Sequence, residues 1–312
     1  MPEKFISIVS PDGALKSDFC PSVGGCITAF YAERNGKRVD LFRPYDPALP
    51  LSPLNFSSFP LTPFSNRIGY GKLAFRGEVL DVGPPFGGEP HPNHGDGWTS
   101  VWAVKEHTAH KVVMTLKTKK AAHTPYVYEA EQVFELRNDV MIADISVKNL
   151  SGRALPFGTG HHPYFVRTDK TILKARLPKV WNSRNMVPTD LVPVPEKWNF
   201  ARGVTLAPVN LEPAAHGGDG TAYIDHCFTG WDQYAEIIWP EHQTKLVMRA
   251  DLVFENFVIY VPSKQNFFCA ESVTNVTDGF NLMDKGVADT GTVVLNDGET
   301  LSGRVRFEVH AA

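Results

Sequence analysis

An acidic side chain lies in an otherwise apolar stretch near the C-terminus. Glu271 lies between the run Phe267–Ala270 and Val273. Because a carboxylate among such neighbours is poorly hydrated, burial should raise its pKa toward the range in which it works as a general base. Glu271 is therefore a candidate proton acceptor. The alternative is an ion pair with an arginine, with a purely structural role.

Two adjacent histidines, His161 and His162, precede Pro163. Neighbouring residues of a strand point to opposite faces, so at most one imidazole should face a pocket. The residue before a proline is held in an extended conformation, which would fix the direction of His162. The alternative is a buried histidine that hydrogen-bonds a backbone carbonyl.

An arginine at the start of a glycine-rich turn is a third candidate. Asn66 and Arg67 lie within Ser65–Gly69. The guanidinium presents a fork of donors that suits hydroxyls or a carboxylate. The alternative is an arginine that only ties down its loop.

The loop His91–Trp98 combines polar groups with an aromatic ring. Sugars need both, because their hydroxyls require polar partners and their C–H face packs on an apolar plate. The same loop could bind zinc through His91, His94 and Asp96, or have no role. Zinc is the weaker reading, because a loop does not place the two imidazoles as an i, i+4 helical pair would. Asp232, between Trp231 and a glutamine, is a similar acid beside aromatics, although its signal is weak.

The elements that would position these residues read as β-strands. Apolar residues alternate along Tyr126–Leu136, along Val140–Asn149 and again along Leu301–Val309, which is typical of half-buried antiparallel strands. Arg137–Asp139 predicts a hairpin connection between the first two. Windows with helical periodicity are weak, and 24 prolines and 25 glycines punctuate the chain. We therefore expect an all-β protein, a large antiparallel β-sandwich.

Two stretches read as long loops, Val82–Gly97 and Thr189–Gly220. Because the strand pattern is the same on both sides of each, we interpret them as functional loops on one scaffold. Residues 1–312 are therefore expected to form a single domain.

Composition excludes several classes of protein. The net charge of −3 offers no basic excess for a nucleic acid, and the sequence has no long apolar segment for a membrane or a signal peptide. Four cysteines without a Cys-x-x-Cys pair favour free thiols in a cytoplasmic protein. We expect a small-molecule partner, no membrane or nucleic-acid partner, and a monomer or a homodimer.

The ordered set of these short motifs resembles the aldose 1-epimerase (galactose mutarotase) family, from about Phe30 to the C-terminus. The motifs, in order, are Asn66-Arg67-Ile68, Phe75-Arg76-Gly77, His94-Gly95, His162-Pro163-Tyr164-Phe165, Gly230-Trp231-Asp232, Glu271–Asn275 and Leu295–Leu301. The resemblance implies a β-supersandwich that binds a sugar in a groove on one concave face.

The resemblance also implies roles for individual residues. Glu271 matches the family's catalytic base and His162 its catalytic acid. Arg67, His94 and Asp232 match substrate-binding positions, and we expect Asn66 and Trp98 to lie in the same sugar site. This chain has His161 where galactose mutarotases have asparagine, and Asn93 where they usually have leucine. Both differences put galactose itself in doubt as the substrate.

The activity implied is the interconversion of the α and β anomers of a free sugar. A base takes the proton of the C1 hydroxyl while an acid protonates the ring oxygen, and each is expected to contribute roughly 10²–10⁴-fold. No redox step, metal or cofactor is needed. Activity should therefore follow a bell-shaped dependence on pH, falling on the acid side as Glu271 is protonated and on the alkaline side as His162 loses its proton.

Other functions remain open at this point. A mutarotase for hexose 6-phosphates would need a basic subsite, such as Arg67 with Lys72 or Arg76. A carbohydrate-binding protein would keep the groove without turnover. A metal-dependent hydrolase would use His91, His94 and His161, at a spacing that fits no known metal motif. A glycosidase usually needs two placed carboxylates, and only Glu271 stands out.

Overall fold

A computed structural model describes residues 5–34, 36–207 and 222–312. Within these ranges the chain is mostly β-strand, and its one α-helix is the six-residue Gly279–Asp284. The expectation of an all-β protein is confirmed. No helix in the described ranges is long and apolar enough to cross a bilayer.

The strands are numbered in chain order. They are β1 (Ile6–Val9), β2 (Leu15–Cys20), β3 (Cys26–Arg34), β4 (Lys37–Asp40), β5 (Pro60–Leu61), β6 (Lys72–Phe75), β7 (Glu78–Asp81), β8 (Ala103–His107), β9 (Lys111–Lys117), β10 (Tyr128–Arg137), β11 (Val140–Asn149), β12 (Leu155–Phe157), β13 (Gly160–His161), β14 (Tyr164–Val166), β15 (Ile172–Ala175), β16 (Lys179–Arg184), β17 (Val187–Pro193), β18 (Val204–Thr205), β19 (Ala222–Thr229), β20 (Tyr234–Trp239), β21 (Thr244–Ala250), β22 (Asn256–Pro262), β23 (Phe267–Val273), β24 (Val293–Leu295) and β25 (Thr300–Ala311).

Short 3₁₀ turns join several of these strands. They are Pro53–Asn55, Gly69–Gly71, Gly97–Thr99, Glu196–Trp198, Phe200–Arg202 and Pro240–His242.

The larger sheet has nine strands in the order β18-β15-β20-β21-β25-β11-β10-β9-β8. Strands β10 and β11 pair in unbroken antiparallel register from Tyr128↔Asn149 to Arg137↔Val140. Alternate residues of β10 are buried, as period-two patterning requires. The hairpin predicted at Arg137–Asp139 is therefore confirmed, and its Asn138 has a positive φ of 40°.

The second large sheet has eight strands, with β17-β16-β19-β22-β23-β13-β5 along its path and β14 paired to β23. One face of this sheet shares a buried apolar cluster with the nine-stranded sheet. Phe257, Ile259 and Phe268 from the eight-stranded sheet pack in the same cluster as Phe134 and Phe307. The two sheets therefore form the two layers of a β-sandwich, as predicted.

One of the two predicted long loops is confirmed by the structure, and the other is not. Val82–Gly97 contains no strand, as expected. The prediction for 189–220 is wrong in its first part, because 187–193 forms β17, and two 3₁₀ turns and β18 follow. Residues 208–221 lie outside the described ranges. The prediction failed because no side chain of β17 is buried, so the segment has no period-two pattern.

All four cysteines are buried and unbridged. Cys20 and Cys26 lie opposite each other on β2 and β3, yet both thiols are free.

Candidate active site

The exposed face of the eight-stranded sheet forms the floor of a cavity of about 520 Å³. On adjacent strands β22 and β23, Val258 lies opposite Glu271, and on β19 and β22 Asp225 lies opposite Tyr260. Directly paired residues share a face, and so do residues two apart in one strand. This register therefore brings Glu271 and Asp225 to the same floor, on the two strands that flank β22.

Several residues predicted from sequence meet in this cavity, and one does not. Those that line it are Asn66, Arg67, His94, Trp98, His162 and Glu271. Loops 62–69 and 86–98 supply its walls above the strand floor.

Glu271 lies at the bottom of the cavity and is only 1% exposed. Its Oε1 atom is 3.3 Å from His162 Nε2, and its buried Oε2 atom has no hydrogen-bond partner among the described residues. Burial raises the pKa of Glu271 well above its ordinary value, and the charge of Asp225 adds to this while Arg67 opposes it. The carboxyl is thus poorly hydrated, as its neighbours in sequence suggested.

His162 packs against two aromatic rings that also neighbour each other. Its imidazole stacks on Phe59 at a centroid distance of 4.5 Å and on Tyr164 at 4.8 Å. Its backbone N–H donates to the Phe59 carbonyl at 2.9 Å, so the chain is fixed where it enters Pro163. Burial lowers the pKa of His162 to about 3, with a smaller contribution in the same direction from Arg43 and Arg67.

His161 points away from this cavity. Its Nε2 atom lies 3.2 Å from Gln132 Oε1, and its ring packs beside Phe134 on the nine-stranded sheet. The prediction that the two histidines face opposite ways is confirmed. Burial lowers the pKa of His161 to about 4, so it is a neutral part of the interior.

Arg67 is positioned by a clamped loop. The Asn275 amide accepts from the Ser65 N–H at 3.0 Å and donates to the Ser65 carbonyl at 2.9 Å. Asn66 then adopts a positive φ of 60°, and its side-chain oxygen accepts from the Arg67 N–H at 2.9 Å. The Asp278 N–H donates to the Arg67 carbonyl at 2.8 Å. These bonds fix the backbone from which the guanidinium reaches the cavity.

His94 and Trp98 line the cavity from the second wall loop, 86–98. The His94 Nδ1 atom accepts from the Asn66 N–H at 3.0 Å, which leaves its Nε2 as the protonated nitrogen. Burial lowers the pKa of His94 well below its ordinary value, as do His162 and Arg67. The indole N–H of Trp98 donates to the carbonyls of Asn93 and Gly95, so its ring is fixed.

Asp232 does not belong to this cavity, which corrects the sequence-based expectation. It is exposed in the turn between β19 and β20 and does not line the cavity. Asp225 lines it instead. Asp232 was chosen for its aromatic neighbours and its Gly-Trp-Asp motif. In the structure Trp231 is buried in the core cluster, and Asp232 is exposed.

Sequence reasoning also missed Glu89 and Tyr164 in the cavity lining, whereas Asn93, singled out as a departure from the family pattern, does line it. Asp225 could have been found from the alternation of β19, in which Ile224 and Phe228 are core residues and Asp225 falls on the other face. Glu89 gave no such signal, because its loop has no period.

The three histidines of the proposed hydrolase site do not meet. His91 Nδ1 accepts from the Tyr70 N–H and its Nε2 contacts the Asn185 carbonyl, while His161 lies beneath the floor. In the part of the chain that the structure describes, the ligand atoms close enough to share an ion belong to His162, Cys269 and Glu271, within 4.8 Å of one another.

Known sequences resemble this chain over most of its length. The sequence pattern that defines the aldose 1-epimerase family matches residues 12–308. A protein of Escherichia coli K12 called YphB, whose function is uncharacterized, is 25% identical over 260 residues, which are 81% of this chain and 83% of YphB.

Solved structures share the fold. A protein of Escherichia coli K12 with the provisional name aldose 1-epimerase superposes with a TM-score of 0.82 at 22% identity, covering 99% of this chain and 100% of its own. A galactose mutarotase-like protein of Clostridium acetobutylicum gives 0.82 at 19% identity, with 99% and 95% covered. A GalM/aldose epimerase homologue of C. elegans gives 0.80 at 15% identity, with 99% of each chain covered.

Proposed function

The chain belongs to the aldose 1-epimerase family, and we propose that it interconverts the α and β anomers of a free sugar. The observation that supports this most directly is the contact between Glu271 and His162, 3.3 Å apart on the floor of a sugar-sized cavity. Both side chains are nearly inaccessible to bulk water.

The reaction needs two proton transfers at oxygens attached to the same carbon. The C1 hydroxyl must lose a proton while the ring oxygen gains one, so the groups that serve them must be neighbours. A carboxyl and an imidazole in contact meet that requirement. Paired carboxyls of glycosidases lie about 5–9.5 Å apart to flank a scissile bond, which is a different geometry.

The buried pair holds one proton in the working state. Burial favours a protonated Glu271 and a neutral His162, because neither charged form is well solvated. When the proton passes from Glu271 to His162, the carboxylate becomes the base and the imidazolium the acid. Ring closure on the other face reverses both roles, and the same proton returns. The enzyme therefore needs no net proton from water in a cycle.

The remaining polar groups of the cavity suit hydroxyls. The Nε2–H of His94 can donate, and the carboxylate of Asp225 can accept. The Asn93 Oδ1 atom is buried with no partner among the described residues, so it can accept as well. The rings of Trp98 and Phe86 give the apolar surface that a sugar's C–H face requires.

A basic subsite for a phosphate finds no support in this cavity. Lys72 pairs with Asp81, and neither Lys72 nor Arg76 lines the cavity. A free sugar is therefore the better substrate, and the sugar-phosphate alternative is not favoured. A protein that only binds a sugar does not need a proton donor and acceptor in contact, so the Glu271–His162 pair also favours an enzyme over a binding protein.

The test is anomer exchange followed by NMR over free hexoses, pentoses, deoxysugars and hexose 6-phosphates. We expect faster exchange for at least one free sugar, and loss of the excess rate by roughly 10²–10⁴-fold in Glu271→Gln and in His162→Asn. Asp232→Asn is the matched control, because it removes a carboxyl outside the cavity. Binding without faster exchange, or full activity in both variants, would contradict the proposal.

A further inference from the structure

The cavity contains more acidic than basic groups. Among the described residues that line it, Glu89, Asp225 and Glu271 carry carboxyls and Arg67 carries the one guanidinium. Its histidines, His94 and His162, are kept neutral by burial. The balance of charge depends on how much of the positive charge of Arg67 is available to a ligand.

Glu89 already engages Arg67. The Arg67 Nε atom donates to Glu89 Oε2 at 2.8 Å and its Nη2 atom donates to Oε1 at 3.0 Å. This is the bidentate fork in which a guanidinium binds a carboxylate or a phosphate. The side chains are 15% and 30% exposed, so the pair is partly shielded from water. An anionic substrate would have to displace Glu89 to reach the same donors.

A tight turn presents Glu89 to Arg67. The Glu89 N–H donates to the Phe86 carbonyl at 3.0 Å, and the two residues between them, Gly87 and Gly88, have φ of 62° and 84°. Two central residues with positive φ are characteristic of a type I′ turn. The Gly-Gly pair adopts this conformation with little cost, whereas other residue types would be strained. The loop is therefore built to hold the carboxylate over the guanidinium.

Asp225 adds a second carboxylate, whose charge acts on Arg67 together with that of Glu89. Its side chain has no hydrogen-bond or ion-pair partner among the described residues, and it lies on the cavity floor. With Arg67 neutralised by Glu89, the charge left facing a ligand is negative. Such a cavity repels anions and attracts cations at short range, where water screens poorly.

We propose that Glu89 sets the charge selectivity of this site, so that neutral sugars and amino sugars enter while phosphorylated sugars and uronic acids are excluded. This inference rests on the proposed function, because it names the substrate class of the same cavity. Glu89 acts by occupying the donors of Arg67 and by contributing its own charge. It is a specificity residue and takes no part in the proton transfers.

The experiment compares kcat/KM for anomer exchange at pH 6.5 with a neutral hexose, its 6-phosphate, the corresponding uronic acid and the 2-amino-2-deoxyhexose. Calorimetric titration of the same four sugars measures binding independently of turnover. The variants are Glu89→Gln, which keeps the shape, and Glu89→Ala, which also removes the side chain. Glu196→Gln is the matched control, because it removes a carboxylate from an exposed ion pair with Arg202 that does not line the cavity.

We expect the wild type to prefer the neutral and amino sugars over both anions by tenfold or more. Both Glu89 variants should lower that preference by about tenfold, because Arg67 becomes free to bind an anion, and Glu196→Gln should leave it unchanged. Equal use of the 6-phosphate by the wild type, or an unchanged preference in both Glu89 variants, would overturn the proposal. If no sugar is turned over, the proposed function fails, and the binding ratios alone still decide the charge selectivity.

Discussion

The carboxyl of Glu271 and the imidazole of His162 are in contact at a place where burial favours the neutral form of each. Between the low pKa of His162 and the raised pKa of Glu271, the pair carries one proton. Below the first value both groups are protonated and the base is lost. Above the second both are deprotonated and the acid is lost.

The pH profile should therefore be a broad bell. Its acid limb belongs to His162, with a midpoint near its pKa of about 3, and its alkaline limb belongs to Glu271. This reverses the assignment that reference pKa values would suggest. The measurement is the enzymic exchange rate from about pH 2 to about pH 10, after subtraction of the uncatalysed rate. An acid limb centred between pH 5 and 7 would show that the pair titrates as ordinary groups.

A buried acid whose pKa is raised makes the folded state less stable once the unfolded chain ionises. For Glu271 this destabilisation begins above its unfolded pKa of 4.5 and grows until the pH passes its folded pKa. Glu271→Gln should therefore raise the free energy of unfolding at pH 7, because an amide needs no charged form there. Thermal unfolding at pH 7 and pH 4 tests this, because the gain should shrink at the lower pH. A variant less stable than the wild type at pH 7 would argue against it.

Asp225 is expected to bind a hydroxyl group of the sugar. Its unpartnered carboxylate is placed to accept a hydroxyl hydrogen bond, which is worth about 1.5–3 kcal/mol for a charged acceptor. Asp225→Asn should raise KM by about 10- to 100-fold with a smaller effect on kcat. Asp232→Asn, outside the cavity, should change neither, and a similar loss in both variants would refute the assignment.

Individual residues differ in how far the sequence could reveal them. Glu271 and His162 are marked by local context, since apolar neighbours and a following proline act through the chain itself. Asp225 and Glu89 reach the cavity through strand register and a loop turn. The alternation of β19 gives the face of Asp225, but its place beside Glu271 depends on strand register. The place of Glu89 depends on Arg67, 22 residues away.

At the scale of elements, two loops form the cavity wall by interlocking. The Gly95 backbone has a φ of 69°, and a Cβ there would lie 2.3 Å from the Thr62 carbonyl oxygen. The Gly97 N–H donates to the same oxygen at 3.0 Å. The loop that carries His94 is thus packed directly on the loop that leads to Arg67.

Gly95→Ala should disturb both loops. The added methyl group meets backbone, so the loops must separate, and we expect a loss of about 2 kcal/mol or more in unfolding free energy together with reduced activity. Gly13→Ala is the control, because Gly13 has a φ of 76° with open space around it. The unfolding free energies of both variants are measured by chemical denaturation. Their difference gives the effect of the steric clash with Thr62 apart from that of the strained φ, which both variants share. Equal destabilisation would show that the contact with Thr62 is not the cause.

Strands with one buried face were predictable, whereas edge segments were not. Val140–Asn149 was predicted with the bounds that β11 has in the structure, because its alternate residues are buried in the sandwich. Residues 187–193 form β17 at the end of the eight-stranded sheet, where most side chains stay partly exposed. Without a buried face, a strand has no periodic signal.

At the scale of the whole molecule, the sheets interleave distant parts of the chain. The C-terminal strand β25 lies between β21 and β11 in the nine-stranded sheet, and β5 from the N-terminal part closes one end of the eight-stranded path. The buried cluster draws on residues from Ile6 to Val309. We propose that residues 1–312 fold as a single domain.

A single domain should unfold in one cooperative transition. Tryptophan fluorescence and far-ultraviolet circular dichroism should give coincident denaturation curves, because both sheets lose their shared core together. Two separated transitions, or a protease-resistant fragment that retains one sheet, would contradict the proposal.

The two rings that pack against His162 have a consequence for spectroscopy. Phe59 and Tyr164 lie nearly parallel to the imidazole, at interplanar angles of 27° and 29°. Ring currents shield nuclei above an aromatic face, so the carbon-bound protons of this imidazole should resonate well upfield of those of the other histidines. The working pair thus has its own isolated signal, through which proton movement at the floor of the cavity can be watched while a sugar is bound.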